Sequence, residues 1–196
     1  MKRQVITISF LVILGFFSTL FSQDSKIPTS FDKVVWFGVD FTAAKCTLVT
    51  EDPSVIVNQY LKEINSIIIT EQDKYNIKGH FKINELTYNV DLANEFNQKI
   101  DPSTFVINNE HKIDIEKVRE VIRKYEPKEN SGTGLIFVAE NLNKVTKQGS
   151  YYVCFFDIKT KEIIGYKRMS GGVTGFGFRN YWARSIYNIM LAWNPA

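Results

Sequence analysis

Three short runs of this chain are apolar on both of their alternating faces: Val34-Val35-Trp36-Phe37-Gly38-Val39, Leu135-Ile136-Phe137-Val138-Ala139 and Tyr151-Tyr152-Val153-Cys154-Phe155-Phe156. Successive side chains of a strand point to opposite faces, so a strand with one wet face alternates apolar and polar residues. Strands that do not alternate must be covered on both sides. Three of them in one chain call for a sheet held between helical layers.

The rest of the chain supplies those layers. Asp52-Pro53 opens a helix with an N-cap and a proline at the first helical position, and Val57, Tyr60, Leu61, Ile64, Ile67 and Ile68 form one stripe along it. Asp114 caps a second helix, with the stripe Ile115, Val118, Ile122 and Tyr125 ending just before Pro127. A third runs over roughly residues 178–193, with Trp182, Ile186, Ile189, Met190 and Trp193 on one side. Between the first two, the Asn- and Lys-rich stretch 72–109 reads as one strand near Leu86-Thr87-Tyr88-Asn89-Val90 and a short helix near residues 92–99. Asp157 caps a polar turn, and the chain returns over residues 162–168 as a less apolar strand nearer an edge. The expectation is an α/β fold bordering on α+β: a mixed sheet of about five strands, three main helices, and a C-terminal β-hairpin followed by an amphipathic helix.

Residues 1–22 stand apart. Lys2 and Arg3 precede the apolar stretch Val5 to Phe21, and a small residue, Ser22, leads into Gln23-Asp24. This is the order of a secretion signal, with cleavage expected between Ser22 and Gln23. The alternative is an uncleaved anchor, because the stretch lies near the lower limit of about 17 residues for a membrane-spanning helix. A lipoprotein anchor needs a cysteine at the new N-terminus, and the first cysteine is Cys46. Removing 22 residues from 196 leaves 174, read as one domain over residues 23–196, without internal repeats or low-complexity linkers. The whole chain carries 24 Lys+Arg and 21 Asp+Glu; the signal takes two of the cations and leaves a net charge of about +1. No global charge bias then favours nucleic acid or an anionic membrane. Export places the protein in the periplasm or outside the cell, with membrane contact only if the signal stays attached. There Cys46 and Cys154 can form a disulfide, or each can serve as a small buried core residue.

Chemical signatures are sparse. His80 and His111 stand alone, without Cys-x-x-Cys or His-Glu-x-x-His spacing, so no metal and no cofactor is expected. No Gly-x-Ser-x-Gly elbow is present, and Cys154 would be a poor nucleophile inside an apolar strand. Three features keep a ligand in view. Gly171, Gly172, Gly175 and Gly177 precede the last helix, where free N–H groups, Arg179, Asn180 and Arg184 can receive an anion; the alternative is a tight turn from an edge strand, with Phe176, Phe178 and Trp182 packing. Asp40 and Glu140 both end interior strands, where ligands bind in open α/β sheets. If the strands are parallel neighbours, the two carboxylates can share one mouth, joined by Lys144 or Lys147; otherwise they are solvated strand ends or loop caps. The aromatic hairpin, Tyr151, Tyr152, Phe155, Phe156 and Tyr166, is expected to be core.

Gly38-Val39-Asp40-Phe41, Gly132-Thr133-Gly134-Leu135-Ile136-Phe137-Val138, Phe155-Phe156-Asp157-Ile158 and Gly175-Phe176-Gly177-Phe178-Arg179-Asn180-Tyr181-Trp182 together resemble a family of small exported bacterial proteins without an assigned activity. That resemblance spans most of the mature chain and implies export and an α/β fold. Residues 155–164 also resemble the hairpin of periplasmic accessory domains like those of the curli secretion channel and the TolB N-terminal region, although Lys161 stands where those domains usually have glycine. The expectation for function is a non-enzymatic binding or accessory protein of the cell envelope, with a protein or a cell-wall component as partner. The alternative is an enzyme or binder of a small anion at the glycine-rich loop.

Overall fold

The computed structural model describes residues 27–195, and the signal assigned to residues 1–22 lies outside the described residues. Seven strands form one mixed sheet: β1 (Phe31–Asp40), β2 (Lys45–Thr47), β3 (Ile83–Tyr88), β4 (Val106–Ile107), β5 (Thr133–Asn143), β6 (Gln148–Asp157) and β7 (Ile163–Gly172). β3, β1 and β5 lie side by side in parallel, and β6 and β7 continue antiparallel from the other edge of β5. The five strands expected from the sequence are these. β2 and β4, only three and two residues long, are too short to leave a periodic signal.

β5 is long enough to serve two partners in succession along one edge. Its first half pairs with β1, from Val34↔Thr133 to Asp40↔Val138, and its last three residues pair with β2, from Lys45↔Asn141 to Thr47↔Asn143. β1 therefore stops halfway along its neighbour.

Four main helices cover the sheet: α1 over residues 53–70, α2 (Asp91–Asn97), α3 (Ile115–Arg123) and α4 (Phe178–Leu191). The side chains of α1 and α4 bury against Trp36, Val39, Leu135, Phe137, Val153 and Phe155 on one face. Those of α2 and α3 bury against Phe37, Ile136, Val138, Cys154 and Phe156 on the other. Both faces are dry, as the non-alternating strands require. Asp52 and Asp114 cap their helices, accepting from Ser54 N at 2.7 Å and Lys117 N at 2.9 Å. The single stripe expected on α1 is modified by a π-helical turn, Ile56–Tyr60, in which Leu61 N donates to Ile56 O. The wider turn rotates Ile56 into the core beside Val57.

Two glycine effects shape the architecture. At Gly38 (φ +85°) the β1–β5 register slips, so Trp36 and Val39 share a face although they are three residues apart. A Cβ there would stand 2.9 Å from Asn65 Oδ1. Gly171 lies in β7, which runs four residues beyond its expected end at Arg168; a Cβ on it would meet the Ser185 carbonyl at 2.0 Å. Gly171 thus lets α4 rest directly on the strand, and the glycine-rich loop begins only after Gly172. Asp157 caps the hairpin turn, accepting from Thr160 N at 2.7 Å, and Lys161 takes the left-handed conformation (φ +63°) that glycine adopts at less cost.

The disulfide left open by the sequence does not form: Cys46 and Cys154 are free. Cys46 pairs with Leu142 on one edge of β5 and Cys154 with Ile136 on the other. Six residues of strand separate those positions by roughly 20 Å, far beyond the reach of about 7 Å for a disulfide. The two thiols also belong to opposite faces of the sheet. Among the described residues no helix is long and apolar enough to cross a membrane.

Candidate functional site

On the side away from β5, the end of β1 is held by side chains in place of a neighbouring strand. Beyond Trp36↔Tyr88 the ladder with β3 ends, leaving the backbone groups of residues 39–41 buried. Asn65, from α1, accepts from Val39 N at 2.7 Å and donates to Val39 O at 3.1 Å. Asn97, the last residue of α2, accepts from Phe41 N at 2.7 Å and donates to Val39 O at 3.0 Å. Two buried amides from two helices thus continue the strand pairing that the sheet no longer provides.

This clamp fixes Asp40. Its carboxyl is fully buried and accepts three hydrogen bonds: Oδ1 from Thr42 N at 2.8 Å and Thr42 Oγ1 at 2.5 Å, and Oδ2 from Tyr125 Oη at 2.7 Å. Burial pushes the Asp40 pKa up, against the lowering pull of the Thr42 and Tyr125 bonds and of Lys124. Burial, then the charge and hydrogen bond of Asp40, push the Tyr125 phenol well above its usual value. Above Asp40 opens a cleft of about 300 Å³, with Thr42, Lys45, Phe96, Lys99 and Lys124 in its wall.

Glu140 occupies a separate place. It sits at the register slip between Ala139 and Asn141 in β5, and its carboxylate turns toward β7. There it receives Arg168 Nε at 2.9 Å and Arg168 Nη2 at 2.6 Å, together with Ile113 N at 3.1 Å. β1 and β5 are parallel neighbours, as the shared-mouth reading requires, yet Asp40 and Glu140 line different cavities. The reason is partner choice: each carboxylate is drawn to donors on its own side of β5. Neither is a solvated strand end, since both are fully buried. Lys144 and Lys147 join neither of them. The Lys144 ammonium lies 4.1 Å from the centre of the Tyr181 ring, and Lys147 (φ +54°) makes the β5–β6 turn. His111 Nε2 lies 2.9 Å from the Ala43 carbonyl, where it donates as the Nε2–H tautomer.

At the start of α4, Gly175 (φ +113°) and Gly177 (φ +74°) bracket Phe176. Phe178 and Trp182 pack as expected, with Phe178 stacked on Tyr60 at 5.2 Å. Phe176 does not: it is 95% exposed, the barest large apolar side chain among the described residues. Beneath it a cavity of about 360 Å³ is lined by Lys74, Arg179, Asn180 and Arg184. Arg179 Nε donates to Asn180 Oδ1 at 3.1 Å, and Lys74 pairs with Glu71. The Gly177 cap brings no side chain to the first helical N–H groups.

Tyr125, Thr42, Lys124 and the two asparagines were not singled out by sequence reasoning. Tyr125 was read only as the last member of an apolar stripe, although a tyrosine in such a position must find a partner for its hydroxyl. That requirement, set beside an aspartate ending a buried strand, was the available signal.

Fold and sites together define a three-layer α/β arrangement with two separated surface features: a cleft at the end of β1 and an exposed aromatic loop at the start of α4. No protein-family model, curated protein or solved structure matches the chain.

Proposed function

We propose that this is an exported binding protein of the cell envelope, directed to the periplasm or beyond by residues 1–22, and that it engages a partner protein through the loop carrying Phe176. The observation that carries this reading is the 95% exposure of Phe176 between two glycines of positive φ. An apolar side chain that contributes nothing to its own fold is suited to the fold of another molecule. Arg179, Arg184 and Lys74 beside it favour a partner that presents carboxylates around an apolar socket. The near-neutral charge of the mature chain and its resemblance to small exported bacterial proteins support the same reading.

A photo-crosslinking residue at position 176, introduced in the producing cell, tests it. The expected result is one envelope protein captured at position 176 and not at the exposed control position 159, with capture lost in Arg179→Ala. The same pattern at both positions, or capture of cell-wall glycan alone, refutes a protein partner. Phe176→Ser changes stability by no more than about 0.5 kcal/mol, because the ring packs on nothing, while burying the ring in a socket is worth about 1.5–3 kcal/mol to the complex. The cationic lining favours a second reading, a small anion beneath the loop. Titration with inorganic phosphate separates the two, since only the second predicts saturable stabilisation that disappears in Arg179→Ala.

A further inference from the structure

The cleft at the end of β1 has the attributes of a ligand site independent of the Phe176 loop. It lies at the C-terminal end of a parallel strand, at the point where β5 exchanges β1 for β2 as its partner. A strand order that breaks in this way leaves a crevice, and in α/β sheets such crevices are where small molecules bind. The floor is preorganised: Asn65 and Asn97 fix the backbone of β1, and Thr42 and Tyr125 fix the Asp40 carboxyl with three hydrogen bonds. A floor already fixed loses little freedom when a ligand arrives.

The wall decides what that ligand is. Three lysines reach the cleft, and two are engaged. Lys45 Nζ donates to the Thr104 carbonyl at 2.7 Å, and Lys99 pairs with Glu95 at 2.6 Å. Asp101, also at the rim, accepts from Ser103 N and Ser103 Oγ with one oxygen. The Lys124 ammonium makes no hydrogen bond or close ion pair among the described residues; its charge acts at longer range on Asp40 below it and on Glu120. The Asp40 carboxyl at the floor already holds three donors, and with Lys45 and Lys99 engaged, Lys124 is the cation placed to meet an incoming anion. Half-buried Phe96 and Ile100 supply an apolar wall for the rest of the molecule.

We propose that this cleft binds a small organic carboxylate with an apolar body, its carboxylate on Lys124 and its body against Phe96 and Ile100. A charge-assisted bond of this kind outweighs a neutral one, so the acid is preferred over its amide and over the corresponding amine. The volume of about 300 Å³ limits the body to roughly one ring with a short chain.

The test is a titration of the purified protein with 3-phenylpropionate, followed by backbone amide NMR shifts. The expected result is saturable shifts confined to residues 40–45, 96–104 and 124, with a Kd of about 1 mM or tighter. Lys124→Gln and the neutral 3-phenylpropionamide should each weaken binding about tenfold, whereas Lys99→Gln, whose partner is Glu95, should change it less. Phe176→Ser should leave it unchanged, so loss of the partner in the crosslinking experiment and loss of this ligand are separate outcomes. Absence of saturation, amide or amine binding equal to that of the acid, or indifference to Lys124→Gln would each overturn the proposal.

Discussion

Asn97→Ala tests whether the end of β1 is held by side chains. Asn97 serves two buried backbone groups, Phe41 N and Val39 O, at 2.7 and 3.0 Å, and is itself buried. Alanine removes both partners at once. Val39 O retains Asn65 Nδ2 at 3.1 Å, but Phe41 N retains nothing. A buried polar group left unpaired costs about 1–3 kcal/mol, so the expected loss is at least that for Phe41 N, rising toward about 4 kcal/mol with the second bond and the vacated volume. Urea unfolding followed by tryptophan fluorescence measures it: the midpoint should fall while the m-value stays constant. Asn97→Asp keeps the acceptor but sets a buried carboxylate against the Val39 carbonyl. At neutral pH it should be no better than alanine, and it should recover in mild acid, where a protonated carboxyl can donate. An Asn97→Ala loss below about 0.5 kcal/mol, within the range of an ordinary surface substitution, would refute the clamp.

Asp40→Asn reports the buried carboxyl through pH. Burial raises the folded-state pKa of Asp40 above its unfolded value near 3.8, so the native state holds the proton more tightly than the unfolded chain does. The wild type should then lose stability as pH rises from about 4 through the raised value. The asparagine variant should lack that slope, and parallel pH profiles for the two proteins would contradict the assignment. The thiols give an independent check of the core. Burial pushes both Cys46 and Cys154 upward in pKa, so a thiol reagent should label neither in the native protein and both in denaturant without reductant. Labelling that requires reductant would mean that a disulfide exists after all.

The covered sheet, the capped helices and the terminal hairpin were legible in the sequence because each rests on local chemistry. Non-alternating strands need two covered faces, Asp52 and Asp114 satisfy N–H groups two or three residues away, and Asp157 closes its own turn. Elements fixed by distant contacts were not legible. β2 and β4 exist because β1 stops halfway along β5, a fact of strand register. The π-helical turn in α1 shifts a stripe by one residue without changing its composition. Asp40 and Glu140 were both expected to end strands; Asp40 does, whereas Glu140 lies three residues inside β5, and their separation depends on a slip at Ala139–Asn141 and on Arg168 standing opposite Tyr152. Phe176 was expected to pack with Phe178 and Trp182, since nothing in an aromatic triplet says which ring the loop will turn outward.

The two proposed recognition surfaces both lie away from Ile27, the first described residue. The described chain begins at Ile27, which packs against Gly165 at the end of the sheet where β1 and β5 start. Asp40 ends β1, nine residue steps or about 30 Å from Phe31 along an extended strand. The Phe176 loop leaves β7 further along in the same direction, where Gln148↔Gly172 faces Asn143↔Gln148, five residues of β5 beyond the level of Asp40 at Val138. If recognition rests on the described residues alone, partner capture at position 176 should be the same whether residues 1–22 are removed or retained. A version with the anchor retained and a version released by cleavage should crosslink the same protein; capture by only one of them would mean that the N-terminal segment takes part in recognition.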